Sequence, residues 1–191
     1  IKSYFVKCNM SGNHAHFAGA MTNDGSNNGV CLPIIINSIF WNNHVREGGP
    51  VFYNNSASPA VSFSLIQGTS NNINHVSISG GDPSIENGNN KYEFDGFDPL
   101  FIDAPSGSLA PTTMGDFHVV PGSSAINMGS DAANLRLVDL DLSSRIQGDQ
   151  IDLGPYELEI ADCNLFIGNV VYVDSAATGA NTGYSWADAF T

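Results

Sequence analysis

The sequence predicts an all-β fold, a parallel β-solenoid of short stacked coils, and three observations lead there. Strand-like segments recur at a long, nearly fixed offset, turn formers rather than charges supply the polarity, and the recurring stretch encodes no amphipathic helix. Charged residues are 13% of the 191, while Gly and Pro number 20 and 9 and Asn and Ser 21 each. Such a composition suits a turn-rich β protein of the extracellular kind. At 42% hydrophobic, the chain can also bury a core.

The first repeat runs through residues 5–13. Phe5-Val6-Lys7-Cys8-Asn9-Met10-Ser11-Gly12-Asn13 aligns thirty residues on with Ile35-Ile36-Asn37-Ser38-Ile39-Phe40-Trp41-Asn42-Asn43, and a further twenty-six on with Val61-Ser62-Phe63-Ser64-Leu65-Ile66-Gln67-Gly68. Each copy is a short strand ending in a polar turn. A second element, Ala18-Gly19-Ala20-Met21-Thr22-Asn23, aligns at the same offset of thirty with Gly48-Gly49-Pro50-Val51-Phe52-Tyr53. A sandwich also has short strands, but its consecutive segments would not resemble one another at a fixed longer offset. Stacked at the strand spacing of roughly 4.8 Å, the coils would place Phe5 or Val6 over Ile35 or Ile36 over Val61 as a core ladder. Asn13 over Asn43 would form a turn ladder of structural side chains hydrogen-bonded along the axis. Residues 69–97 interrupt the pattern with Asn/Gly/Ser-rich stretches around His75-Val76-Ser77-Ile78-Ser79, read as a further coil with an enlarged loop.

Charge divides the chain. Residues 1–97 carry a net −2 and residues 98–191 a net −11, out of −13 in all. That balance excludes a nucleic-acid binder built on a basic face. No apolar run reaches membrane-spanning length, and the chain opens in patterned sequence without a signal-peptide layout, so it reads as beginning inside a longer polypeptide. Cys8, Cys31 and Cys163 fit no metal spacing and read as packing thiols, with one disulfide at most.

The repeats at 36–43 and 61–68 resemble the coils of right-handed parallel β-helix proteins secreted by bacteria. The stretch that follows resembles the C-terminal region common to many of them: Asp98-Pro99-Leu100-Phe101-Ile102-Asp103, Asp116-Phe117-His118-Val119, Pro121-Gly122-Ser123-Ser124-Ala125-Ile126-Asn127-Met128-Gly129, Asp139-Leu140-Asp141, Arg145 and Asp152-Leu153-Gly154-Pro155-Tyr156-Glu157. This resemblance covers roughly residues 4–157. It departs from the family pattern at Pro155, where Ala is usual, and at Leu142, where Gly is common. It implies a large secreted or cell-surface protein, often of the Bacteroidetes type with a separate anchoring domain and no assigned enzymatic activity. The segment from Val170 to Thr191 resembles the opening of another β-helix of the same family. The expected organisation is therefore coils over 1–97, a capping tail over 98–157, a linker over 158–169 and a following module from 170. The expected role is that of a stiff, non-enzymatic shaft for attachment or extracellular assembly, its partners being other copies or modules of the same protein. The alternatives are a polysaccharide-binding adhesin and a fragment of a pectate-lyase-like enzyme whose catalytic coils lie upstream.

Candidate sites are few. The carboxylates Asp139, Asp141, Asp149, Asp152 and Glu157 crowd around Arg145 and read first as a structural network in which bidentate Arg–carboxylate pairing pins irregular loops. Asp139, Asp141, Asp149 and Asp152 are the candidate calcium ligands, because calcium takes hard oxygen donors. His14 and His16 would share one face of a strand, but a third ligand at a suitable spacing is lacking. Trp41 is the candidate sugar-stacking residue, beside Phe52 and Tyr53. The coils between residues 5 and 68 offer only Asp24, Glu47, Lys7 and Arg46 as charged groups, none at matching repeat positions, so the paired carboxylates of a glycosidase or the base of a lyase are not encoded there.

Overall fold

A computed structural model describes residues 3–16, 18–26, 29, 31–46, 52–68, 76–79, 89–112, 114–159, 176 and 178. The chain divides into two compact units, Ile1–Leu158 and Glu159–Thr191. The expected linker and following module fall almost entirely outside the described residues, as does Cys163. Among the described residues no α-helix occurs, and hence none long and apolar enough to cross a membrane.

The first unit is all-β and built on short parallel sheets. Its strands are β1 (Tyr4–Val6), β2 (Asn9–Ser11), β3 (His14–Ala15), β4 (Met21–Asp24), β5 (Ile34–Ile36), β6 (Ile39–Trp41), β7 (His44–Val45), β8 (Phe52–Asn55), β9 (Ala60–Ser62), β10 (Leu65–Ile66), β11 (Val76–Ser79), β12 (Lys91–Tyr92), β13 (Phe101–Asp103) and β14 (Asp116–Val119). Parallel sheets form in the orders β1-β5-β9, β2-β6-β10-β12 and β4-β8-β11, with a further pair β3-β7. Only β13 and β14 run antiparallel among these elements. The register of the first sheet pairs Phe5 with Ile35 and Ile35 with Val61, the offsets of thirty and twenty-six that the sequence repeats at. In the second sheet Met10 pairs with Phe40 and Phe40 with Ile66. Residues expected as an enlarged-loop coil supply β11 beside β8 and β12 beside β10.

One expected register is off by a residue. Met21 pairs with Phe52, not Val51, and Asn23 with Asn54, not Tyr53. A one-residue slip exchanges the two faces of a strand, and the observed register puts Asn23 and Asn54 inside together. Both are buried, and Asn23 Nδ2 donates to Asn54 Oδ1 at 2.7 Å. The extra residue lies in the connection before β8, where an insertion leaves the strands intact.

Two left-handed corners recur between successive strands. Lys7, Asn37, Phe63 and Asn89 have φ of 57°, 55°, 45° and 56°, and Gly12, Asn42 and Gly68 have 67°, 52° and 97°. Asn and Gly tolerate this region best. The residue after the first corner carries a side-chain ladder. Cys8 N–H donates to Ser38 Oγ at 3.1 Å, Ser38 N–H to Ser64 Oγ at 3.2 Å, and Ser64 N–H to Asn90 Oδ1 at 3.0 Å. Each serine hydroxyl also donates to the carbonyl two residues earlier. Ser38→Ala therefore leaves Cys8 N–H and Ile36 C=O without this partner and is expected to cost about 1–2 kcal/mol, read as a lowered denaturant midpoint with an unchanged slope.

The core lies on both sides of the β2-β6-β10-β12 sheet. Phe40 and Ile66 pack with Ile35, Phe52, Val61 and Tyr92 between the sheets. Ile39, Trp41 and Leu65 point the other way and pack under Val119, Ala125 and Leu153 of the tail. Alternation along a strand sends neighbours to opposite faces, so the uninterrupted Ile39-Phe40-Trp41 run is that of a strand covered on both. Asn37 fastens the tail to this face, with Ser130 N–H donating to Oδ1 at 2.8 Å, Nδ2 donating to Ser130 C=O at 3.1 Å, and Gly154 N–H donating to Asn37 C=O at 2.8 Å.

Candidate functional site

A cavity of about 640 Å³ opens where β1 and β2 meet the tail, lined by Val6–Asn9 and Ser11 on one side and by Phe117, Leu135, Arg136, Val138–Leu140, Arg145, Pro155 and Tyr156 on the other. Three of the six Lys and Arg residues of the chain line it: Lys7, Arg136 and Arg145. Lys7 is carried there by the left-handed corner after β1, with its N–H donating to Ile36 C=O at 3.0 Å. Its ammonium group meets the Asn134 carboxamide oxygen in direct contact. Burial, with repulsion from Arg145 and Arg136, brings the Lys7 pKa down to about 8, although Glu157 and Asp131 pull the other way. Burial pushes the Cys8 thiol up, which keeps it protonated, and Cys8 and Cys31 are free thiols.

Beneath the cavity lies the arginine network. Arg145 is 1% exposed; its Nη2 donates to Gly154 C=O at 2.5 Å and Asp152 C=O at 3.4 Å. Its Nε stands 3.1 Å from Glu157 Oε1, an ion pair without good hydrogen-bond alignment. The surrounding carboxylates are spent on backbone donors. Asp139 accepts from Asp141, Ser143 and Glu157 N–H, Asp152 accepts from Asn127 and Leu158 N–H, and both Glu157 oxygens accept from Asp152 N–H. Burial and the neighbouring Asp152 raise the Glu157 pKa to about 7 against the pull of Arg145 and Lys7, and burial raises that of Asp152.

The expected calcium ligands are thus not gathered. Asp139 and Asp152 are buried pins of the loop backbone, Asp141 turns to His118, and Asp149 is exposed. Among the described residues no three His, Cys, Asp or Glu side chains are grouped to hold a metal ion. Asn13 Nδ2 donates to Asn43 Oδ1 at 2.9 Å, and Asn43 Nδ2 to Met10 C=O at 2.7 Å, which is the turn ladder. His14 meets His44, its partner on the neighbouring parallel strand, edge to face at 4.7 Å. The sugar-stacking reading of Trp41 is corrected: the ring is 7% exposed and lies under the tail, so neither face can take a sugar. Phe52 is wholly buried against Phe40, and Tyr53 is half-buried.

Sequence reasoning missed Lys7, Arg136, His118 and Tyr156. The scarcity of cations was the available signal. His118 sits between two carboxylates, Nδ1 at 2.5 Å from Asp116 and Nε2 at 2.5 Å from Asp141, and packs on Tyr156 at 4.0 Å. Burial disfavours its charged ring, but the hydrogen bonds and charges of Asp116 and Asp141 outweigh it and raise the pKa above the ordinary value. A histidine raised on folding contributes stability that is full below its unfolded pKa and lost as pH rises through the folded one; a buried carboxyl raised on folding behaves with the same sign. The melting temperature is therefore expected to rise as pH falls from 8 towards 5. Glu157→Gln should remove the part between about 7 and 4.5, and His118→Asn the part just above pH 6.5, in scanning calorimetry.

These features define an all-β protein of several short parallel sheets with a tail held over one of them and pinned by a buried arginine. No protein-family model, curated protein or solved structure matches the chain.

Proposed function

We propose that residues 1–158 form the end of a right-handed parallel β-helix, a non-enzymatic shaft module of a large secreted or cell-surface bacterial protein that serves attachment or extracellular assembly. One observation carries this reading. Parallel strands at three separate positions pair in register with equivalents between 24 residues (Phe52 to Val76) and 31 residues (Met21 to Phe52) away. A chain that repeatedly returns to the same side at such intervals is wound in coils, and coils stacked by parallel ladders resist bending. The tail supports the reading in a second way: it spends its polar groups on holding loop backbone, as a structural cap does. Sedimentation and electron microscopy in calcium-containing buffer test it. Stiff rods associating into fibres or rings are the expected result; compact particles that never associate would overturn the assembly role.

A further inference from the structure

We infer that Lys7 and Asn134 become joined by an amide between Nζ and Cγ, formed once by the folded chain itself, which staples the first coil to the tail. Folding brings an amine and a carboxamide 127 residues apart into direct contact, both half-buried. Neither partner is loosely held. Lys7 is fixed by its corner and its bond to Ile36, and Asn134 closes the turn Asp131–Ala133, with its N–H donating to Asp131 C=O at 2.9 Å. Such positioning can replace an encounter worth many molar of free reactant.

The surroundings suit the step. The Asn134 Oδ1 that contacts Lys7 also accepts from Arg136 N–H at 3.3 Å, a donor placed to hold the negative charge that oxygen acquires in a tetrahedral intermediate. Burial of Lys7 beside Val6 and Pro155, with the fields of Arg136 and Arg145, favours the uncharged amine that attack requires. Glu157 and Asp131 temper those fields without cancelling them. The lone pair of neutral Nζ attacks Cγ, the new C–N bond forms, and the bond from Cγ to Nδ2 breaks. The proton lost by Nζ leaves on the departing nitrogen, so one ammonia is released and no oxidant, reductant or cofactor is consumed. The product is a secondary amide with no charge. It would remove from the cavity the cost of a partly buried ammonium and close a covalent loop in a unit whose Cys8 and Cys31 are free thiols.

Intact-mass and tryptic peptide mass spectrometry of the folded protein held at about pH 8, near the lowered amine pKa, tests this. The expected result is a chain lighter than its sequence by one ammonia, with the Lys7 and Asn134 peptides recovered as one branched species. Lys7→Arg and Asn134→Ala should each restore the full mass and the linear peptides. Full sequence mass in the unaltered protein, with trypsin cutting after Lys7, would overturn the inference and leave an ordinary hydrogen bond. So would an ammonia loss that persists in Lys7→Arg, which would belong to an asparagine cyclising elsewhere. The decisive reading is made on the unaltered protein and does not depend on whether either variant folds.

Discussion

Replacing Arg145 by Ala is expected to lower the unfolding free energy by about 3–5 kcal/mol, the range for removing one partner of a buried ion pair. The guanidinium is the one cation inside a ring of buried carboxylates, Glu157, Asp139 and Asp152, and it also satisfies the carbonyls of Gly154 and Asp152. Its loss takes that donor from both carbonyls and the counter-charge from carboxylates that keep only their backbone N–H partners. Denaturant unfolding followed by tryptophan fluorescence measures the change. Two controls separate charge from packing. Arg145→Lys keeps the charge but not the planar fork that reaches two carbonyls, so it should recover only part of the loss. Arg145→Ala combined with Glu157→Gln removes both charges and should be less destabilised than Arg145→Ala alone. Acidification should help the single variant more than the unaltered protein, because a Glu157 carboxyl already raised to about 7 has then lost its counter-charge. A variant as stable as the parent would show that the tail is held by its apolar face alone.

The strand register was legible because stacking in parallel repeats the same demand at the same offset. Phe5, Ile35 and Val61 are alike since each fills the same place, and Asn13 and Asn43 match since one caps the other. That Arg145 sits in a carboxylate network was legible too, since only two cations, Arg136 and Arg145, stand among the thirteen acidic groups of residues 98–191, but which carboxylate pairs with it was not. What escaped has physical causes. The ladder Cys8, Ser38, Ser64 and Asn90 asks only for a small polar side chain, which three residue types satisfy, so identity hides it. The corners at Lys7, Asn37, Phe63 and Asn89 are set by the surrounding strands, and Phe63 sits at φ of 45° although it is no usual residue for that region. The cavity joins residues more than a hundred positions apart, which no local pattern reports. The slipped β4–β8 register follows from one added residue in a connection, which an offset set by the neighbouring strands cannot see.

Trp41 carries the other large expected effect, and it separates two readings of one residue. A polar turn follows it, Asn42-Asn43, and a large aromatic at a strand end beside such a turn reads naturally as a surface platform for a sugar ring. That reading treats this face of the β2-β6-β10-β12 sheet as solvent-exposed. The tail makes it an interior: Trp41 packs with Ile39 and Leu65 of the same sheet and with Val119, Ala125 and Leu153, and its carbonyl accepts from Gly12 N–H at 3.1 Å. Trp41→Ala should accordingly cost about 3–5 kcal/mol, the transfer term of the lost ring plus the cavity it leaves, measured as a fall in unfolding free energy. Trp41→Phe keeps most of the apolar volume and should cost much less. A sugar platform would behave in the opposite way, with Trp41→Ala folding as stably as the parent and its indole quenched readily by acrylamide beforehand. Slow quenching together with a large loss of stability would place the tail over the sheet in solution, and with it the clamp that Arg145 provides.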